Sequence, residues 1–118
     1  MTRQDSITQV TGPFNEDLEM IRDQLRRFIE TEVTAKAEPW EEEGMVPRDV
    51  LRRMGDLGVL GMRYDEQYGG AGGDFRHECV IAEQHRYAGV DGLSIPLHNA
   101  IILPYIETYG TEEQKQRW

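Results

Sequence analysis

From Gly92 to Ile106 the chain carries no Asp, Glu, Lys or Arg. A helix that is apolar on all its sides is stable only where something other than water surrounds it, so this run limits the folds open to the chain more than any other feature does. A membrane span needs about 20 apolar residues. This run is shorter and is interrupted by Ser94, Pro96, His98, Asn99 and Pro104. The residues therefore predict a central helix of a bundle, from about 91 to 109, as the most buried element.

The segments around it read as its partners. Leu18, Ile21, Leu25, Phe28, Ile29 and Val33 recur at steps of three and four and line one stripe of a helix over about 15 to 32. Glu19 with Arg22, and Asp23 with Arg26 and Arg27, take the other faces. In "AEPWEEEGM", Pro39 disturbs the chain and Gly44 ends it, which gives a short second helix or a ragged extension of the first. Pro47 suits the start of a helix over 47 to 57, with Val50, Leu51, Met54 and Leu57 as its stripe and Gly58 as a left-handed cap. Asp74 is a good N-cap for a helix from 74 to 88 that ends at Gly89, and Phe75, Cys79 and Ala82 share its expected core face. Gly110 stops the uncharged helix, and Thr111 with Gln114 has capping-box spacing for a last helix. No alternation suggests a sheet, so the expected class is all-α, a helical bundle of up-and-down character.

Four glycines in "YGGAGGD" stand just before the 74 to 88 helix. A dinucleotide loop would continue as Gly-x-Gly-x-x-Gly after a buried strand, but from Gly70 the third glycine position falls on Phe75 and no such strand precedes it. A P-loop would need Gly-Lys-Ser/Thr. Asp74 also puts a negative charge where a phosphate would sit at the helix N-terminus. The loop reads as a sharp turn.

Other reactive residue types assemble no site. His77 and His85 are eight residues apart, while zinc pairs on helices are usually three to five apart, so both read as surface or boundary histidines. Glu78 and Glu83 read as helix-surface glutamates. Cys79, the single cysteine, cannot form an internal disulfide and reads as a small apolar core residue. Nothing brings together a nucleophile, a base and an oxyanion site, and no metal ligand set is found.

Thirteen basic and twenty-two acidic side chains give a formal charge of −9 and a pI near 4.7. That sign makes nucleic acid and anionic membrane poor partners, since phosphate binding needs the opposite field. With no signal-like start and one cysteine, the expected setting is reducing and cytoplasmic. The polar opening residues, 1 to 13, are expected to form a disordered tail.

The succession "LRRFIETEV", "GMVPRDVLRRMGDLGVLGM", "DEQYGGAGGD", "VIAEQHRYAGV" and "LHNAIILPYIETYGTEEQKQRW" resembles the N-terminal helical domain of the acyl-CoA dehydrogenase family. The resemblance covers 14 to 118, and "SIPLHN" brings it nearest the long-chain branch. It implies a flavoenzyme in which this domain, a middle β domain and a C-terminal helical bundle enclose FAD and an acyl-CoA thioester. A glutamate, in the C-terminal bundle of most members, takes the α proton while the β hydride passes to the flavin. Neither the base nor the flavin site falls on a residue of this chain, which by itself should be inert. Electron-transfer flavoprotein as acceptor and a homo-oligomeric state are implied for the complete enzyme.

The domain's implied contribution is one wall of the acyl-tail pocket. On the family's pattern Gly92 and Pro96 stand where medium-chain members carry a polar pair that closes the pocket floor, and Asn99, Ala100 and Leu103 line the same side. Small non-polar residues at 92 and 96 would leave a deeper slot. The alternative is a free-standing acidic helical module that binds a partner or lipid through an exposed apolar face. A stop at Trp118, inside a newly capped helix, favours the excised domain.

Overall fold

In a computed structural model, residues 15–118 are described; the expected tail over 1 to 13 lies outside them. The architecture is all-α, as expected, with no strand among the described residues.

Helix α1 (Asn15–Phe28) runs into a π-helical turn, Ile29–Val33, and a 3-10 turn, Thr34–Lys36, before α2 (Ala37–Glu43). The second helix is thus both separate and continuous with the first. Gly44, at φ 74°, closes it in the left-handed region that glycine enters without a Cβ penalty. Leu18, Leu25, Ile29 and Val33 are buried and Ile21 and Phe28 half-buried, so the sequence stripe of α1 is its packed face.

Helix α3 (Arg48–Asp56) buries Val50 and Met54, with Pro47 just outside its first turn. Arg53 reaches from α3 to Glu32 at 2.6 Å and ties it to the π-helical turn that follows α1. Helix α4 (Phe75–Ala88) packs along α1, with Ile81 fully buried among Leu25, Ile29, Val33 and Met54. Two cross-helix bonds border that contact, from Arg22 Nε to Glu83 Oε2 (2.9 Å) and from Arg26 Nε to Gln84 Oε1 (3.4 Å).

The core face of α4 differs from the expected one. Phe75 and Cys79 are exposed and Ala82 half-buried, while Glu78, Val80, Ile81, Gln84 and Ala88 are buried. Two stripes on α4 share the three-four spacing. The one bearing Ile81 and Val80 removes more apolar surface from water than one bearing Cys79 and Ala82, so it faces inward and carries Glu78 and Gln84 with it. Glu78 is therefore a buried carboxylate, not a surface one; Glu83 is exposed as expected.

The uncharged stretch also departs from expectation. A 3-10 turn, Asp91–Leu93, is followed by Ser94 at φ 50°, and continuous helix starts only at Ile95. It passes through a π-helical segment, Leu97–Ile102, into α5 (Leu103–Tyr109). The stretch is not the most buried element. Leu93, Ile95 and Asn99 are inside, but Leu97, Ile101, Ile102, Tyr105 and Tyr109 are exposed, Ile101 by 54% and Tyr105 by 66%. The centre of the core lies between α1, α3 and α4, and this helix lies against it by one side. Helix α6 (Glu112–Arg117) begins with the expected reciprocal cap, Gln114 N–H to Thr111 Oγ1 and Thr111 N–H to Gln114 Oε1.

Candidate functional site: an apolar helix face anchored from behind

The helix over 95 to 109 has two unlike sides. Its inner side is held by the connector between α3 and α4, and its outer side presents Leu97, Ala100, Ile101 and Tyr105 without cover among the described residues. Soluble surfaces rarely carry so many contiguous apolar groups unless they receive something.

Asn99, fully buried, is the anchor on the inner side. Its amide nitrogen donates to the Val59 carbonyl at 2.8 Å, and its amide oxygen accepts from the Gly61 N–H at 2.9 Å. A primary amide offers a donor and an acceptor side by side, which suits it to the backbone of a loop. The Tyr64 hydroxyl adds a third tie by donating to the Asn99 backbone carbonyl at 2.6 Å. Burial pushes the Tyr64 phenol up from its ordinary pKa, which keeps the group protonated as a donor.

Behind Tyr64 stands a charged pair. Arg63 Nη2 donates to the Tyr64 oxygen at 2.8 Å, and its guanidinium lies 4.8 Å from the centre of the Tyr64 ring. Its Nε is 3.7 Å from Glu78 Oε2, on the buried side of α4. Both Glu78 oxygens lack a hydrogen-bond partner, so the carboxylate is held by charge alone.

One hollow borders the helix and another its lead-in turn. The first, of about 450 Å³, lies between the connector and the helix and is lined by Tyr64, Tyr68, His98, Leu103, Ile106 and Trp118, among others. The other, of about 550 Å³, lies by the 3-10 turn against Trp40, Met45, Val46, Leu51 and Val90. Of the five residues singled out in the sequence, Leu103 is half-buried and borders the first hollow, while Gly92 is exposed and borders the second. Pro96 is half-buried in the first turn, Ala100 is exposed on the open face, and Asn99 points its side chain inward. The five share one helix and its lead-in, not one hollow.

The glycine-rich loop answers to backbone chemistry. The N–H groups from Gly69 to Gly73 all donate to carbonyls, those of Asp65, Glu66, Met62 and Tyr64, at 2.8 to 3.2 Å. A pyrophosphate cradle needs such groups unengaged. The Asp74 carboxylate accepts from the Arg76 N–H at 2.8 Å and His77 Nδ1 accepts from the Asp74 N–H at 3.0 Å, so the helix N-terminus is closed as well. The loop does not fit a flavin or nucleotide phosphate.

The remaining candidates stand apart. His85 is half-buried, and desolvation pushes its imidazole down from the ordinary value. Among the described residues no group of His, Cys, Asp and Glu is arranged to hold a metal ion, and no helix is long and apolar enough to cross a membrane.

Sequence reading missed Arg63, Tyr64 and Glu78 as a connected set. The available signal was one Asn at the centre of an uncharged run five residues before a proline, since a buried side-chain amide needs partners and a proline lacks an N–H, so both leave hydrogen bonds to be completed from elsewhere.

Comparison with known proteins gives a consistent result. The family model described as "Acyl-CoA dehydrogenase, N-terminal domain" matches residues 15–118. The mitochondrial long-chain specific acyl-CoA dehydrogenase of Rattus norvegicus is 35% identical over 105 residues, covering 89% of this chain and 24% of that protein. The crystal structure of acyl-CoA dehydrogenase from Geobacillus kaustophilus superimposes with a TM-score of 0.81 at 43% identity, over 87% of this chain and 27% of that one. A glutaryl-CoA dehydrogenase from Mycobacterium smegmatis, solved in complex with FADH2, gives 0.77 at 28% identity, over 86% of this chain and 26% of that one. The chain thus spans about a quarter of the length of the proteins it matches.

Proposed function

Since the chain belongs to the acyl-CoA dehydrogenase family, as an N-terminal helical domain, we propose that it supplies one wall of the acyl-tail pocket in a flavin-dependent enzyme that introduces an α,β double bond into an acyl-CoA thioester. The observation that carries this reading is the helix over 95 to 109, which has no charged residue before Glu107, is fixed on its inner side through Asn99 and is open on its apolar outer side. A face of this kind cannot orient a polar group. It can remove methylenes from water, at about 0.8 kcal/mol each.

Within this reading Ala100, Pro96 and Gly92 lie along the course of the chain, and Leu103 closes the wall near the connector. Asn99 belongs to the same wall through its backbone, since its side chain is turned inward. Small side chains at 92, 96 and 100 leave room for a long acyl tail.

The oxidising group would be FAD, which accepts the β hydride when bound. The loop most suggestive of a phosphate site in this domain is closed, so the proposal gives the flavin to other segments and assigns no residue here to it. The catalytic base is likewise assigned elsewhere. Electron-transfer flavoprotein as acceptor and a homo-oligomeric assembly complete the proposal on the strength of the family resemblance, and a cytoplasmic setting on the single cysteine.

The test is to express the full-length protein and measure bound flavin and its bleaching on anaerobic addition of acyl-CoA thioesters of several lengths. Bleaching by long saturated acyl-CoA is expected. A flavin-loaded protein that no saturated acyl-CoA bleaches would overturn the proposal.

A further inference from the structure

A missing hydrogen bond in the wall helix explains the position of Tyr64. In the π-helical segment Leu97–Ile102 the backbone bonds reach one residue further than in an α-helix, and the Leu103 N–H bonds the His98 carbonyl. In that register the next donor would be residue 104 and its acceptor the Asn99 carbonyl. Residue 104 is proline and has no N–H to give. The Tyr64 hydroxyl donates to that same carbonyl at 2.6 Å.

The helix is therefore completed from outside at the turn where its bonding register changes. The Asn99 side chain bonds the same connector at Val59 and Gly61, so three bonds from the neighbourhood of one residue converge on six residues of chain, 59 to 64. A small rotation at this turn would carry Leu97, Ala100 and Ile101 with it, because the outer face is continuous with the anchored one. Arg63 extends the tie to α4 through Tyr64 on one side and Glu78 on the other.

On the reading of this helix as the acyl-pocket wall, we infer that Tyr64 and Asn99 are positioning residues for the substrate chain. They act on it from behind and without contact, by fixing where Leu97, Ala100 and Ile101 stand, and so set the acyl length that fits. The open outer face has no such support of its own among the described residues.

The test uses Tyr64→Phe in the full-length, flavin-loaded protein, which keeps the ring and removes the hydroxyl. Kinetics are measured across a series of saturated acyl-CoA substrates. KM for the preferred length is expected to rise about three- to tenfold, the effect of one lost hydrogen bond, with kcat within about twofold and a shallower dependence on chain length. Adding Pro104→Ala to Tyr64→Phe returns a donor to the Asn99 carbonyl from within the helix and should restore the length dependence. A Tyr64→Phe protein of lower melting temperature but unchanged KM and length profile would show a structural bond only and overturn the inference, as would a double variant with no recovery. Ala100→Phe, on the outer face, separates this inference from its premise. If Ala100→Phe alters the profile and Tyr64→Phe does not, the wall stands and the positioning role falls. If neither alters it, both fall.

Discussion

The carbonyl oxygen of Tyr64 lies where a Cβ on Gly70 would have to be, only 2.1 Å from it. The close approach lets the Gly72 N–H reach the same oxygen at 2.8 Å and folds the glycine-rich loop back on the connector that carries Tyr64. Glycine is needed at 70 for space, since the neighbour is backbone and cannot swing away. Gly70→Ala should cost about 1–3 kcal/mol in urea unfolding through this overpacking. A Gly70→Ala chain as stable as the parent would show that the loop is not held in this form.

Asn99→Leu replaces the anchor by an apolar side chain of similar size. It leaves the Val59 carbonyl and the Gly61 N–H without their partner in a buried place. Unsatisfied groups of this kind cost about 1–3 kcal/mol each, so a loss of about 2–4 kcal/mol is expected from urea midpoints at constant m-value. A neutral or stabilising effect would mean that water meets those groups and that Asn99 fixes nothing.

Acid should weaken the start of α4. The side-chain bonds from Arg76, with its backbone N–H, hold the Asp74 carboxyl well below the usual carboxylate range. A pKa depressed by folding contributes stability that is present above the unfolded value, near 4, and is lost as pH falls from there toward the folded value. Asp74→Asn keeps a capping acceptor and removes the charge. The melting temperature of the parent should exceed that of Asp74→Asn at pH 7, and the gap should narrow from about pH 4 downward. A gap independent of pH would assign the difference to geometry instead of charge.

Much of the fold was legible because local rules and packing agreed. The α1 stripe from Leu18 to Val33, the left-handed Gly44, Gly58 and Gly89, and the caps at Asp74 and Thr111 all stand where their residue types put them. The face of α4 was misread because the buried stripe includes Glu78 and Gln84, whose partners, Arg63 and Arg26, are distant in sequence. The uncharged run was read as core because lack of charge records only the absence of water. It does not distinguish a helix enclosed on every side from one that offers a face. The ties through Tyr64 were illegible because 35 residues separate it from Asn99.

The exposed outer face should make the 118-residue chain associate with itself. Leu97, Ile101, Ile102 and Tyr105 form an apolar surface that water does not favour. Sedimentation at rising concentration should show oligomers and binding of a hydrophobic dye, and Ile101→Gln with Leu97→Gln should reduce both. A clean monomer at high concentration, without dye binding, would contradict this.

The central claim, that the outer face is the wall of an acyl pocket, is tested most directly at Ala100. The residue is exposed, so a larger side chain there enters the open side and leaves the packed side untouched. The measurement is kcat/KM across a series of saturated acyl-CoA substrates for the full-length parent and Ala100→Phe, both flavin-loaded. The account predicts a preference shifted to shorter chains, by about 1–3 kcal/mol of discrimination per excluded methylene. An identical length profile in a folded, flavin-loaded Ala100→Phe protein would contradict it.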